Sequence, residues 1–158
     1  MAADAKTMKR VVLISLVGLL VTGAATAATP ATYRAKVNGI CRGYTPALKQ
    51  FAKQIDQADA AKDYQTWGVA VNKFLTRELA QDKRIEAVSV PDSLQAKMKP
   101  ILTRMTKIDS HARAALADQK TGKANAMVSE LLTIGELETP LIRALVSVSL
   151  RDCASIKA

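Results

Sequence analysis

From Tyr33 onward the apolar residues recur at helical spacing. Tyr33, Val37, Ile40, Tyr44, Leu48, Phe51 and Ile55 step by 4, 3, 4, 4, 3 and 4 residues, which keeps them on one face of a helix. Thr45-Pro46 falls inside that run, and proline lacks a backbone donor, so a kink or short break is predicted there. A second segment, from about Asp63 to Val88, carries Trp67, Val71, Phe74, Leu75, Leu79 and Ile85 inward on a looser pattern. Pro91 opens a third, where its missing N–H costs nothing. Leu94, Met98, Ile101, Met105, Ile108, Ala112 and Ala115 then step by 4 and 3 in alternation, with a bend expected at Pro100. Thr121-Gly122 punctuates the chain. A fourth segment runs through Met127, Leu131, Ile134, Leu141, Leu145 and Val148 to near Cys153, bent at Pro140. No period-2 alternation is long enough for a strand. Short connectors make neighbouring helices antiparallel, so the predicted fold is all-α, an up-down-up-down four-helix bundle.

The residues ahead of these helices follow a different logic. Lys6, Lys9 and Arg10 form a basic start, Val11 to Val21 an apolar run, and Ala25-Thr26-Ala27 a small-residue cleavage motif. Residues 1–27 are therefore predicted to be a signal peptide, cut before Ala28, leaving 28–158 as one domain. The alternative is a retained N-terminal membrane anchor, but the strongly apolar part falls short of the roughly 20 residues that a spanning helix needs. The expected location is secreted, periplasmic or in the cell envelope. The composition is 49% hydrophobic and 23% charged with 5 Pro and 7 Gly, which excludes disordered, collagen-like and low-complexity classes.

The chain has 2 Cys and 1 His, and this bounds the chemistry. Cys41 lies in the first helix and Cys153 near the end of the last. In an antiparallel bundle of four, those two places lie at the same end, so a disulfide is predicted between them, as an oxidising compartment allows. There is no Cys-x-x-Cys pair for redox work. Asp109-Ser110-His111 has the residues of a hydrolytic triad, but neighbours on a helix point about 100° apart and cannot converge. The residue three before His111 is Ile108, so the Glu-x-x-His signature of di-iron bundles is missing. Zinc would lack ligands, and no glycine-rich phosphate loop occurs. The sequence is read as a non-enzyme with no cofactor and no metal.

The stretch Y-R-A-K-V-N-G-I-C from Tyr33 to Cys41 resembles the opening of small exported actinobacterial helical proteins, in which Tyr, Asn and Cys recur at this spacing. A Pro-started helix like Val90-Pro91 and a Leu shortly before a Cys, like Leu150-Arg151-Asp152-Cys153, extend the resemblance over most of the chain. The sequence departs from that pattern in lacking Gly-Leu before the last Cys and a lipid-attachment Cys in the leader. The resemblance implies a helical bundle with one Cys in the first helix and one in the last. That group has no assigned activity, so nothing follows from it about function.

Charge adds the last clue. The chain carries 23 Lys and Arg against 14 Asp and Glu, a formal net charge of +9. On the third helix Lys97, Arg104, Lys107 and His111 fall within an arc of about 80° beside the apolar stripe. Such a ridge suits an anionic envelope polymer or membrane surface. The plainer reading is a solvated flank whose long stems cover the core edge. Sequence-specific nucleic-acid binding is not expected, because the six aromatics mostly follow core spacing instead of interleaving with basic residues. The expected function is a structural or interaction module with a basic surface. The alternative is a carrier of an apolar ligand or non-covalent haem between the helices, using Met98, Met105, Met127 and His111.

Overall fold

Thr29 opens the first helix. Its hydroxyl oxygen accepts the Thr32 amide hydrogen at 3.2 Å, and Pro30 takes the first helical turn, where a missing donor is harmless. A computed structural model describes residues 28–155. Its elements are α1 (Pro30–Ala60), α2 (Tyr64–Glu86), α3 (Asp92–Lys120), α4 (Ala124–Ser147) and a short α5 (Arg151–Ala154). The described residues form no strand, and the all-α antiparallel bundle expected from the periodicity is what they adopt. The leader prediction lies outside the described residues. Among those described, no helix is long and apolar enough to cross a membrane.

Pro46, Pro100 and Pro140 each sit inside a continuous helix, so the short break allowed for at Pro46 does not occur. One lost donor does not outweigh the packing of the turns on either side. A break that the sequence did not signal occurs instead at Val148–Leu150. The fourth segment was expected to run to near Cys153. In fact α4 stops at Ser147 and Cys153 belongs to α5. The disulfide itself is present, with the two Cα atoms 5.0 Å apart and a sequence separation of 112.

The most extensive helix contacts are within two hairpins, α1–α2 and α3–α4, which meet along α2 and α3. One core runs through both. It includes Val37, Cys41, Leu75, Ile85, Met98, Ile101, Met105, Ile108, Leu141 and Leu145, all buried. Far from the disulfide, the Gln119 side chain fastens the hairpins together. Its amide nitrogen donates to the Gly68 carbonyl at 2.6 Å, and its oxygen accepts from Asn72 Nδ2 at 3.0 Å. Gly68 permits this approach, since a Cβ there would lie 3.0 Å from Gln119 Nε2.

Side chains from one face of α1 hold the chain where α4 gives way to α5. Arg34 Nε donates to the Val148 carbonyl at 2.8 Å. Asn38 donates through Nδ2 to the Ser149 carbonyl at 3.1 Å and accepts the Asp152 amide hydrogen on Oδ1 at 3.2 Å. Arg42 pairs with Asp152 at 2.7 Å. At spacing 34, 38 and 42 these residues flank Val37 and Cys41, so the disulfide sits behind a row of polar clamps.

Candidate functional site

The basic flank of α3 has a definite shape. Lys97 and Lys107 are exposed and Arg104 is half-buried. Arg104 and Lys107, with Lys99, Pro100, Thr103 and Leu137, line an open depression of about 450 Å³ between α3 and α4. Lys99 was not part of the predicted ridge, because its position falls outside the arc beside the apolar stripe, and Lys97 does not line the depression. His111 has a partner of its own: Nδ1 lies 2.6 Å from Glu130 Oε2 on α4. Glu130 therefore offsets charge at the far end of the ridge, and the surplus of positive charge gathers at Lys97, Lys99, Arg104 and Lys107.

Asp109, Ser110 and His111 diverge in space. His111 turns to α4, Ser110 faces solvent, and Asp109 is buried against α2. Met98, Met105 and Met127 are all core residues. The enclosed space beside Met98 and Met105 is about 10 Å³, the size of one water. A ligand held between the helices would have to displace these side chains. A separate, open apolar depression of about 420 Å³ lies where both hairpins turn, lined by Tyr64, Trp67, Val69, Met127 and Val128 among others.

A second polar feature lies inside the bundle and was not anticipated. Continuing the 4-3 stepping of α2 from Val71 and Leu75 leads to Glu78, Asp82 and Ile85, so two carboxylic side chains occupy inward positions. Their exposures are 2% and 1%, and Asp109 on α3 is 6% exposed. Gln81 is buried beside them, and its Oε1 has no hydrogen-bond partner. Asp82 and Asp109 are neighbours across the contact between α2 and α3. Burial pushes the Asp109 carboxyl above its ordinary range, and the nearby Glu86 and Glu78 add to the rise. The Arg113 guanidinium, 3.4 Å from Oδ2, opposes it. The signal that could have found this cluster was the looseness of the second segment: its apolar pattern lapses where the carboxylic residues fall on the inward stripe. Among the described residues, no group of three or more His, Cys, Asp or Glu is arranged to hold a metal ion.

The chain matches no protein-family model, no curated protein and no solved structure.

Proposed function

We propose that this is an exported, non-catalytic helical-bundle module that binds an anionic polymer of the cell envelope through the α3 flank. The observation that carries the reading is the depression between α3 and α4, where Lys99, Arg104 and Lys107 converge around one concave surface. Concavity matters because low-dielectric walls focus the field of grouped charges, whereas lysines on a convex face are screened singly. The Cys41–Cys153 disulfide supports an oxidising location.

The test replaces Lys99, Arg104 and Lys107 with Gln and measures retention on a polyanion at low salt. A control triple of Lys36, Lys49 and Lys53 on α1, all exposed, removes the same charge elsewhere. The α3 triple should lose most of the binding and flatten its salt dependence, while the α1 triple keeps most of it. Equal losses would mean that net charge alone binds. Anionic vesicles in place of the polymer report whether a membrane surface serves as well.

A further inference from the structure

Outside its buried positions, α4 carries a second, uncharged and largely apolar stripe that the bundle leaves open. Val128, Leu132, Gly135, Thr139, Ile142 and Val146 follow one another at steps of 4, 3, 4, 3 and 4. At about 100° per residue these six lie within about 80°, centred about 115° round the helix from the buried side chains. Val128, Leu132 and Val146 are 45%, 67% and 48% exposed. Tyr64 and Val69, also exposed, border the depression that Val128 lines, so they extend the patch at one end. Monomeric proteins seldom leave a contiguous apolar face of this kind in water. Gly135, near its middle, is not required by the bundle, since a Cβ there would meet nothing within 4 Å. Glycine weakens a helix interior relative to alanine, and what it offers in return is close approach of another backbone.

We propose that this face docks a second copy of the chain, with the two α4 helices antiparallel across a twofold axis level with residue 137. The spacing reads the same in both directions, as it must on a surface that meets itself. In that register Val128 opposes Val146 of the second copy, Leu132 opposes Ile142, and Gly135 opposes Thr139. Charge selects the antiparallel arrangement. Glu136 and Arg143, both exposed, flank the stripe on its outer side. The twofold axis brings like flanks together in reverse order, so each Glu136 lies about 7–8 Å along the axis from the other copy's Arg143. Side chains lean toward the N-terminus of their own helix, and in opposed helices that lean closes the gap. The two Glu136, near the axis, lean apart for the same reason. A parallel pair would set Glu136 against Glu136 and Arg143 against Arg143. With three Glu and one Arg, α4 is also an acidic helix in a chain at +9, so copies repel least there. The stripe is about 27 Å long, and pairing along it buries on the order of 1,000 Å², the size of a weak, reversible association. Leu137 lies on the opposite side of α4, where it lines the basic depression, so pairing leaves Lys99, Arg104 and Lys107 open.

The experiment is sedimentation equilibrium of the oxidised protein from about 1 µM to about 1 mM, where a monomer–dimer equilibrium with a micromolar dissociation constant is expected. Leu132→Glu should raise that constant at least about tenfold and leave the melting temperature of dilute, monomeric protein unchanged, because this side chain already stands in solvent. Gly135→Ala should weaken the dimer while stabilising the monomer, opposite signs that a folding defect cannot produce. Glu136→Arg and Arg143→Glu should each weaken pairing about threefold or more, and the two together should restore it. A protein that stays monomeric throughout the range, or a dimer that Leu132→Glu leaves intact, overturns the proposal. Charge reversals without mutual rescue overturn the antiparallel register. A monomer that floats with neutral phosphatidylcholine vesicles, and ceases to with Leu132→Glu, assigns the face to a membrane and overturns the pairing equally. If Leu132→Glu does not fold, the charge-reversal set decides alone.

Discussion

Lys62, Gly122 and Ser149 hold corresponding places at three chain reversals. Each follows a helix end with φ at 56°, 73° and 65° respectively, in the left-handed region. Around each, two amides close back onto the helix in the same way. Asp63 bonds to the Ala58 carbonyl and Lys62 to Asp59; Lys123 bonds to Asp118 and Gly122 to Gln119; Leu150 bonds to Leu145 and Ser149 to Val146. That is a Schellman cap, and it favours glycine, which meets no Cβ penalty at positive φ. Gly122 fits the rule, and Lys62 and Ser149 carry strain of about 1 kcal/mol each. Lys62→Gly and Ser149→Gly should therefore stabilise by about 0.5–1 kcal/mol, the gain being trimmed by the greater freedom of glycine in the unfolded chain. Gly122→Ala should destabilise by about 1 kcal/mol. Urea midpoints at constant m-value measure all three. No change in any of them would mean that these reversals are set by packing alone. Only the Gly122 reversal was legible beforehand, because lysine and serine at this place carry no local signature.

At the scale of elements, periodicity was a good guide wherever inward positions were apolar. The inward stripe of α3 came out as spaced from Leu94 to Ala115, and that of α1 did so from Tyr33 to Leu48 except that Cys41 is buried where Ile40 was expected. It misled in two places for physical reasons. On α2, Glu78 and Asp82 sit on the stripe itself, and a count of apolar residues passes over them. At the end of α4, the apolar run Leu141, Leu145, Val148 keeps helical spacing although the helix ends at Ser147. The break there depends on partners more than 100 residues away, chiefly Asn38 with its bonds to Ser149 and Asp152. The Asn of the Tyr-Asn-Cys pattern thus acquires a structural task. Of the basic ridge, the arc of Lys97, Arg104 and Lys107 was legible from helical geometry, but the pairing of His111 with Glu130 required knowing how α4 lies against α3. Asn38→Ala should cost about 1–3 kcal/mol and should speed amide exchange in α5, because two backbone groups lose their partners. Asn38→Asp should fall between, keeping the acceptor for the Asp152 amide and losing the donor to the Ser149 carbonyl. Unaltered exchange in α5 with Asn38→Ala would show that the disulfide alone positions it.

The whole molecule is two helical hairpins whose contact is partly polar, closed into a loop by one covalent bond. The α2–α3 seam carries buried carboxyl groups, and Gln119 reaches across it to the backbone at Gly68. Apolar burial along that seam is correspondingly diluted, which raises the importance of any restraint on the unfolded chain. The Cys41–Cys153 disulfide is such a restraint, since it closes a loop over a separation of 112 residues and nearly the whole described chain lies inside it. In the chain-entropy treatment a loop of this length is worth about 4–5 kcal/mol, a large part of the 5–15 kcal/mol typical of a domain. Reduction, or paired Cys41→Ala and Cys153→Ala substitution, should therefore lower the urea midpoint by a large fraction while the helical content at zero urea stays close to its oxidised value. The core around Val37 and Leu141, and the clamps from Arg34, Asn38 and Arg42, survive the loss of the sulfur bridge. The m-value should rise at the same time, because the unbridged denatured chain exposes more surface than the looped one. A lower midpoint with an unchanged m-value would place the effect in the folded state, as lost packing at Cys41 and Cys153. An unchanged midpoint would mean that the two hairpins hold together without the bridge.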